Sequence, residues 1–342
     1  MTVGGFFARR TWRVTATLVL LCALLGAVWG IRASRNDGPG TPLRVCGEGC
    51  IVQWLAWSPD GQLLAIAANE ELTIWALPER RVVFRQALSP AVLAVAWSPD
   101  GRFLAAANVR SERMPIVVLD TATWSEVRQL NSEGVRTIAW SPDGRTLAAG
   151  GDGRSVRLWA MPDGKLLYML SFSSLVYRIA FSPDGQTLAS RSDRLSLWRV
   201  SDGTLLRELG RADYYGGIAF SPSGDEFAAT IGPEVRRWRF SDLVALPSLT
   251  GYSDMLVGLA YSPDGRTIAG GGGLAAEGIG IRDSSVRLWR VADGVLVQMW
   301  PGTDKKMIVA LAFSPDGRTV VTGGYEPFVR FWALDTADEV TR

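Results

Sequence analysis

The chain has 342 residues, 47% hydrophobic and 20% charged, and 36 Lys and Arg stand against 34 Asp and Glu for a net charge of +2. There is no excess of positive charge, and the lone Lys305-Lys306 pair reads as a solvated loop, so no nucleic-acid partner is expected. The absence of histidine removes Ser-His-Asp and Cys-His nucleophiles, imidazole bases and every His-ligated metal site.

Residues 1–13 form a basic tail carrying Arg9, Arg10 and Arg13 without an acid. Residues 14–31, VTATLVLLCALLGAVWGI, are an unbroken uncharged run. As a helix the run reaches roughly 27 Å, enough to cross a thin bilayer. Trp12 and Trp29 stand near its ends, where amphipathic rings favour the interface. The segment is expected to be a transmembrane signal anchor; a cleaved signal peptide is the alternative, with Val28-Trp29-Gly30 a marginal cleavage site. Arg9, Arg10 and Arg13 before the run are matched by Arg32, Arg35 and Arg44 after it, so charge barely orients it. A basic tail followed at once by an apolar run is the order of an export signal, which places the rest outside the cytoplasm in a single-pass membrane protein. Residues 32–40 are polar with Gly and Pro and read as a linker. Cys46 and Cys50 follow; in an oxidising compartment they could close a small loop, and otherwise they are two unpaired thiols.

From residue 41 the chain repeats. Ser-Pro-Asp-Gly, preceded by an aromatic residue, recurs at Ser58, Ser98, Ser141, Ser182, Ser221, Ser262 and Ser314, with Ser223 replacing Asp in the fifth copy. The intervals are 40, 43, 41, 39, 41 and 52 residues. A period near 41 marks a repeat architecture. Each unit holds four short runs: an aliphatic run ending in the aromatic, one rich in Ala and Gly, one ending in Trp, and a more polar alternating one. Runs this short between turn signals are strands, with Pro and Gly supplying the turn. The first strands are expected to be buried on both faces and the fourth to have one face in water.

This pattern resembles the WD-repeat family of β-propellers. The third-strand Trp followed five residues later by Gly matches it at Trp159 and Gly164, Trp198 and Gly203, and Trp289 and Gly294. The chain departs from the family where Ala76, Ala160, Arg199, Arg239, Arg290 and Ala333 replace the Asp after Trp. Only Asp120 is kept, behind Leu119, and the Gly-His pair is absent throughout. The His–Asp–Ser–Trp network of family blades therefore cannot form, and packing must rest on Trp and aliphatic layers. The expected fold is all-β: a seven-bladed β-propeller of four antiparallel strands per blade over 41–342, preceded by an N-terminal transmembrane helix. A strand near 43–46 is expected to complete the last blade, whose C-terminal remainder is short.

The resemblance implies a non-catalytic scaffold for protein–protein interaction, with no cofactor, metal or catalytic residue. A small-ligand or carbohydrate-binding sensor using the central channel is the alternative, and a propeller enzyme a remoter one. The Pro-Asp-Gly turns are repeated and structural, so function is expected on the opposite, irregular face. Its longest loop runs from Gly271 to Ser284 and accounts for most of the 52-residue interval. Phe172, Tyr214, Tyr215, Tyr252 and Tyr325 fall in loops of that face, with Arg110, Arg154, Arg191 and Arg211 in the same set. Tyr and Arg commonly dominate interface energy; Phe172, Arg191, Tyr214, Tyr215, Tyr252 and Tyr325 are the candidate partner contacts.

Overall fold

The computed structural model describes residues 41–88, 92–108, 116–213, 215–274, 283–302 and 306–334. The basic tail, the apolar run 14–31, the linker, Arg110, Tyr214 and positions 275–282 of the long loop lie outside the described residues. The described residues form seven four-stranded antiparallel sheets. Six are blades of four consecutive strands. In the seventh, Ile308–Phe313, Thr319–Gly324 and Glu326–Ala333 are joined by Thr41–Arg44 as the outer strand, with Thr41 opposite Phe331 and Arg44 opposite Phe328. The closing strand thus begins two residues earlier than Leu43. Closure by the chain's own N-terminal strand removes the open edge a ring of sheets would otherwise present.

The first strands, from Val52–Trp57 in blade 1 to Ile308–Phe313 in blade 7, pack against one another around the channel. They are only partly buried, as in Val52–Trp57 and Ile308–Phe313, because one side looks into the channel. Burial on both faces belongs instead to the second strands: in Leu63–Ala68, Thr146–Gly151 and Thr319–Gly324 every residue but the first is buried. Ala and Gly dominate there because neighbouring blades clamp these strands from both sides. The fourth strands are more exposed than half-buried ones. In Leu205–Arg211 no side chain is buried, because the twisted blades splay apart at the perimeter.

The Ser-Pro-Asp-Gly turns are built alike. In six of them the serine hydroxyl donates to the Asp carboxylate at 2.5–2.6 Å. It also accepts the backbone N–H five residues on, as Leu63 and Thr146 show. The Ser58 and Ser141 hydroxyls, followed by the N–H groups of Gln62 and Arg145, hold Asp60 and Asp143 below their ordinary pKa. Each turn glycine has φ of 69–79°, and the proline of the preceding blade's turn rests on its bare Cα. The contacts run from Pro59 on Gly101 round to Pro315 on Gly61, so one rim is a closed circle of Pro–Gly contacts. A Cβ at these positions would be strained by φ alone.

The third-strand tryptophans are core: Trp75, Trp159, Trp289 and Trp332 are buried. One leg of the family network survives without histidine. Trp198 Nε1 donates to Ser190 Oγ at 2.9 Å, and Trp332 Nε1 to Thr322 Oγ1 at 2.8 Å, from third strand to second strand of one blade.

Candidate functional site: the channel mouth on the irregular rim

Four residues before each turn serine, within the first strand or, for Gly217, just ahead of it, stand Trp54, Ala94, Thr137, Arg178, Gly217, Gly258 and Ala310. Five of the seven are small. At Gly217 and Gly258 the small size is required: an added Cβ would stand 2.6 Å from Leu259 Cβ and 2.9 Å from Leu311 Cβ of the following blade. The two large residues, from blades 1 and 4, meet in the channel, with the Arg178 guanidinium 4.5 Å from the centroid of the Trp54 ring. That is a close cation–π contact.

Above this pair, on the rim opposite the Pro–Gly circle, lies a cavity of about 370 Å³. Trp54, Tyr177, Tyr215 and Tyr325 supply its aromatic wall, and Val257 and Val309 part of its aliphatic wall. Arg136 and Arg178 are its cations, and among the described residues no carboxylate lines it. The rings contact one another: Tyr177 meets Tyr215 edge-on at 5.4 Å, and Arg136 lies over Tyr177 at 5.6 Å.

The arginines differ in what balances their charge. Arg136 is held by the Asp152 carboxylate. Arg178 makes only long bonds to the carbonyls of Tyr177 and Val309, at 3.3 and 3.4 Å, and among the described residues no carboxylate reaches it. Burial pushes its pKa down to about 10.

The candidate contacts named from sequence separate into surface and framework. Tyr215 and Tyr325 are 50% and 49% exposed, and the cavity brings them together. Phe172 is partly buried against Trp198, its ring 5.1 Å away, so it caps a blade end. Arg191 is 0% exposed and is a strut, not a surface contact. It sits at the end of its strand and donates to Asp213 O at 2.6 Å and Thr230 O at 2.7 Å, tying blade 4 to blade 5. Burial, against the opposing pull of Asp213, brings its pKa to about 10. Tyr252 is buried as well. Its hydroxyl donates to Ser285 O and accepts from the Gly272 N–H, pinning together the two strands that flank the long insertion. Burial, then the Asp283 charge, raises its pKa. The second strand of that blade, Thr267–Leu274, takes in the first four residues of the expected loop.

Cys46 and Cys50 are joined by a disulfide that closes the turn after the ring-closing strand. Among the described residues no group of His, Cys, Asp or Glu gathers to hold a metal ion. Trp54 and Arg178 carried no motif. The signal for them was the column four residues before the serines, where they stand out among Ala, Gly and Thr.

Known proteins match this architecture in pieces. The family model for the WD domain, G-beta repeat, matches residues 81–111, 124–160, 164–206, 244–290 and 294–333. A WD repeat-containing protein of Synechocystis sp. is 33% identical over 96 residues, 28% of this chain. The chain spans about a quarter of the length of that curated relative, 24%. With five matched repeats on seven closed four-stranded blades, the chain belongs to the WD-repeat family.

Proposed function

We propose that this propeller is a non-catalytic platform for protein partners, tethered to a membrane by residues 14–31 with the blades outside the cytoplasm. The observation that carries the platform reading is the contrast between the rims. One is a circle of near-identical turns; the other has unequal loops and two half-exposed tyrosines beside an arginine. Exposed Tyr next to Arg is the composition of interface anchors. WD-repeat propellers in general serve as interaction scaffolds, which supports the same reading. The disulfide between Cys46 and Cys50 supports an oxidising compartment.

Crosslinking and affinity capture of the full chain from membranes, with Tyr215→Ala and Tyr325→Ala as controls, tests the platform. A partner retained by the native chain and lost from both variants is the expected result. Capture indifferent to both changes would sink the assignment to this rim. Orientation has its own test: a C-terminal reporter that works only in the cytoplasm should be silent.

A second reading, a small-ligand sensor, draws on the cavity at the channel mouth.

A further inference from the structure

Among the described residues no carboxylate balances the cation at the bottom of the mouth. A guanidinium taken from water costs free energy unless it is paired and well hydrogen-bonded. Arg191, on the second strand of blade 4, has two short carbonyl bonds and the Asp213 carboxylate 4.0 Å away, although its Nη2 makes no hydrogen bond among the described residues. Arg178 has neither a short bond nor, among the described residues, a carboxylate. One face of its guanidinium lies on the Trp54 indole, and its two carbonyl bonds are at 3.3 and 3.4 Å. What lies next to it is a cavity whose volume falls among those of small-molecule sites, about 300–1,000 Å³.

We infer that the channel mouth binds a small organic monocarboxylate, its carboxylate on Arg178 and its apolar body against Tyr177, Tyr215 and Tyr325. The carboxylate follows from the charge count. Arg136 is engaged by Asp152, so one cation is available, and a phosphate dianion would bring a charge too many. A guanidinium fork also matches a planar carboxylate bidentately. The apolar body follows from the walls, where four aromatic rings and aliphatic side chains outnumber the polar groups. A sugar would find no carboxylate among the described lining residues, and the one amide there, Gln53, already accepts the Asn69 N–H through its oxygen. This site shares Tyr215 and Tyr325 with the rim proposed to dock partners, whereas Arg178 belongs to the channel, so Arg178→Met should lose the carboxylate and leave partner capture unchanged.

The test uses the full chain in detergent, with benzoate, indole-3-acetate and hexanoate as probes and benzamide and inorganic phosphate as controls. Calorimetric titration and thermal unfolding are read together. At least one carboxylate should bind saturably and raise Tm, with benzamide and phosphate at least about tenfold weaker. Arg178→Met should lose that binding about tenfold or more while leaving the ligand-free Tm unchanged or higher. A merely structural arginine would instead lower it. Tyr325→Ala, at a half-exposed position, should weaken binding with Arg178 intact. Binding should also fall as pH drops through the acid's own pKa, near 4 to 5. The inference is overturned if none of the three acids binds, if Arg178→Met binds them as well as the native chain, or if phosphate or benzamide binds as tightly.

Discussion

The turn of blade 5 lacks the carboxylate that the other six place under the serine hydroxyl, and restoring it measures what the motif contributes. Ser221 Oγ meets Ser223 Oγ at 3.3 Å, and the Asp225 N–H reaches Ser223 Oγ at 3.4 Å. In the other turns the corresponding distances are 2.5–2.6 Å and 2.9–3.1 Å. A hydrogen bond to a charged acceptor contributes about 1.5–3 kcal/mol, against about 0.5–1.5 for a neutral one, so Ser223→Asp should gain about 1 kcal/mol. A second difference opposes it. The residue after the turn glycine is Gln62, Arg102, Arg145, Gln186, Arg266 or Arg318 elsewhere, but here it is Asp225. Two exposed carboxylates that close repel by roughly 0.5–1 kcal/mol in a water-like dielectric, less at physiological salt. Ser223→Asp alone should therefore be nearly neutral, as should Asp225→Arg alone. The double variant should be more stable by about 1–2 kcal/mol, a coupling of about 1 kcal/mol that shrinks in high salt. Urea unfolding of the four chains closes the cycle. If the single changes simply add, or Ser223→Asp gains its full increment beside Asp225, the charge argument fails.

Other consequences are smaller or simpler. Arg191→Met should cost about 2–4 kcal/mol in urea unfolding, because it strips the donor from two carbonyls and leaves Asp213 without its cation. Tyr252→Phe should cost about 1–3 kcal/mol by the same measurement, since the hydroxyl satisfies Ser285 O and the Gly272 N–H at once. Trp97 Nε1 donates to Ala56 O at 3.0 Å, whereas the equivalent Trp57 Nε1 is buried without a partner. Trp97→Phe should accordingly cost about 1 kcal/mol more than Trp57→Phe, and equal losses would remove the inter-blade bond from the account. Asp60 and Asp143 lie below their ordinary pKa of 3.8, so their contribution is present above that value and lost as pH falls through the folded-state pKa. Acid titration of Tm should show the loss below about pH 4, and Ser58→Ala with Ser141→Ala should flatten it.

The architecture was legible because it is written seven times. Any one Ser-Pro-Asp-Gly is an ordinary turn, but seven at near-equal spacing set the blade count, and Leu43-Arg44 had no other sheet to join. Burial was misread where the ring's geometry intervened. The first strands look as apolar as the second, yet they border the channel and keep an open side. Arg191 and Tyr252 were misread for a related reason. A residue near a loop reads as exposed in sequence, but each finds its partners across a sequence gap: Arg191 on Thr230 of the next blade, Tyr252 on Ser285 beyond the insertion. Neither partner has a motif to mark it.

The channel shows why a site here must break the repeat. Seven equal large side chains at the level of Trp54 would collide on the axis, and seven equal small ones would leave a featureless tube. Two large residues three blades apart, among five small ones, meet and leave space beside them. Gly217 and Gly258, which line a second, smaller cavity beside that pair, cannot be enlarged, because Leu259 and Leu311 of the adjoining blades already stand against them. The aperture is thus fixed by backbone packing between blades, while its chemistry is set by two side chains. Substitution at Arg178 can therefore change what the mouth accepts with little effect on the ring, whereas substitution at Gly217 or Gly258 must disturb the ring first, and Trp54 also packs against the cores of the neighbouring blades. Blade packing and channel chemistry thus fall to different blades of one column: Gly217 and Gly258 serve the first, and Arg178 the second.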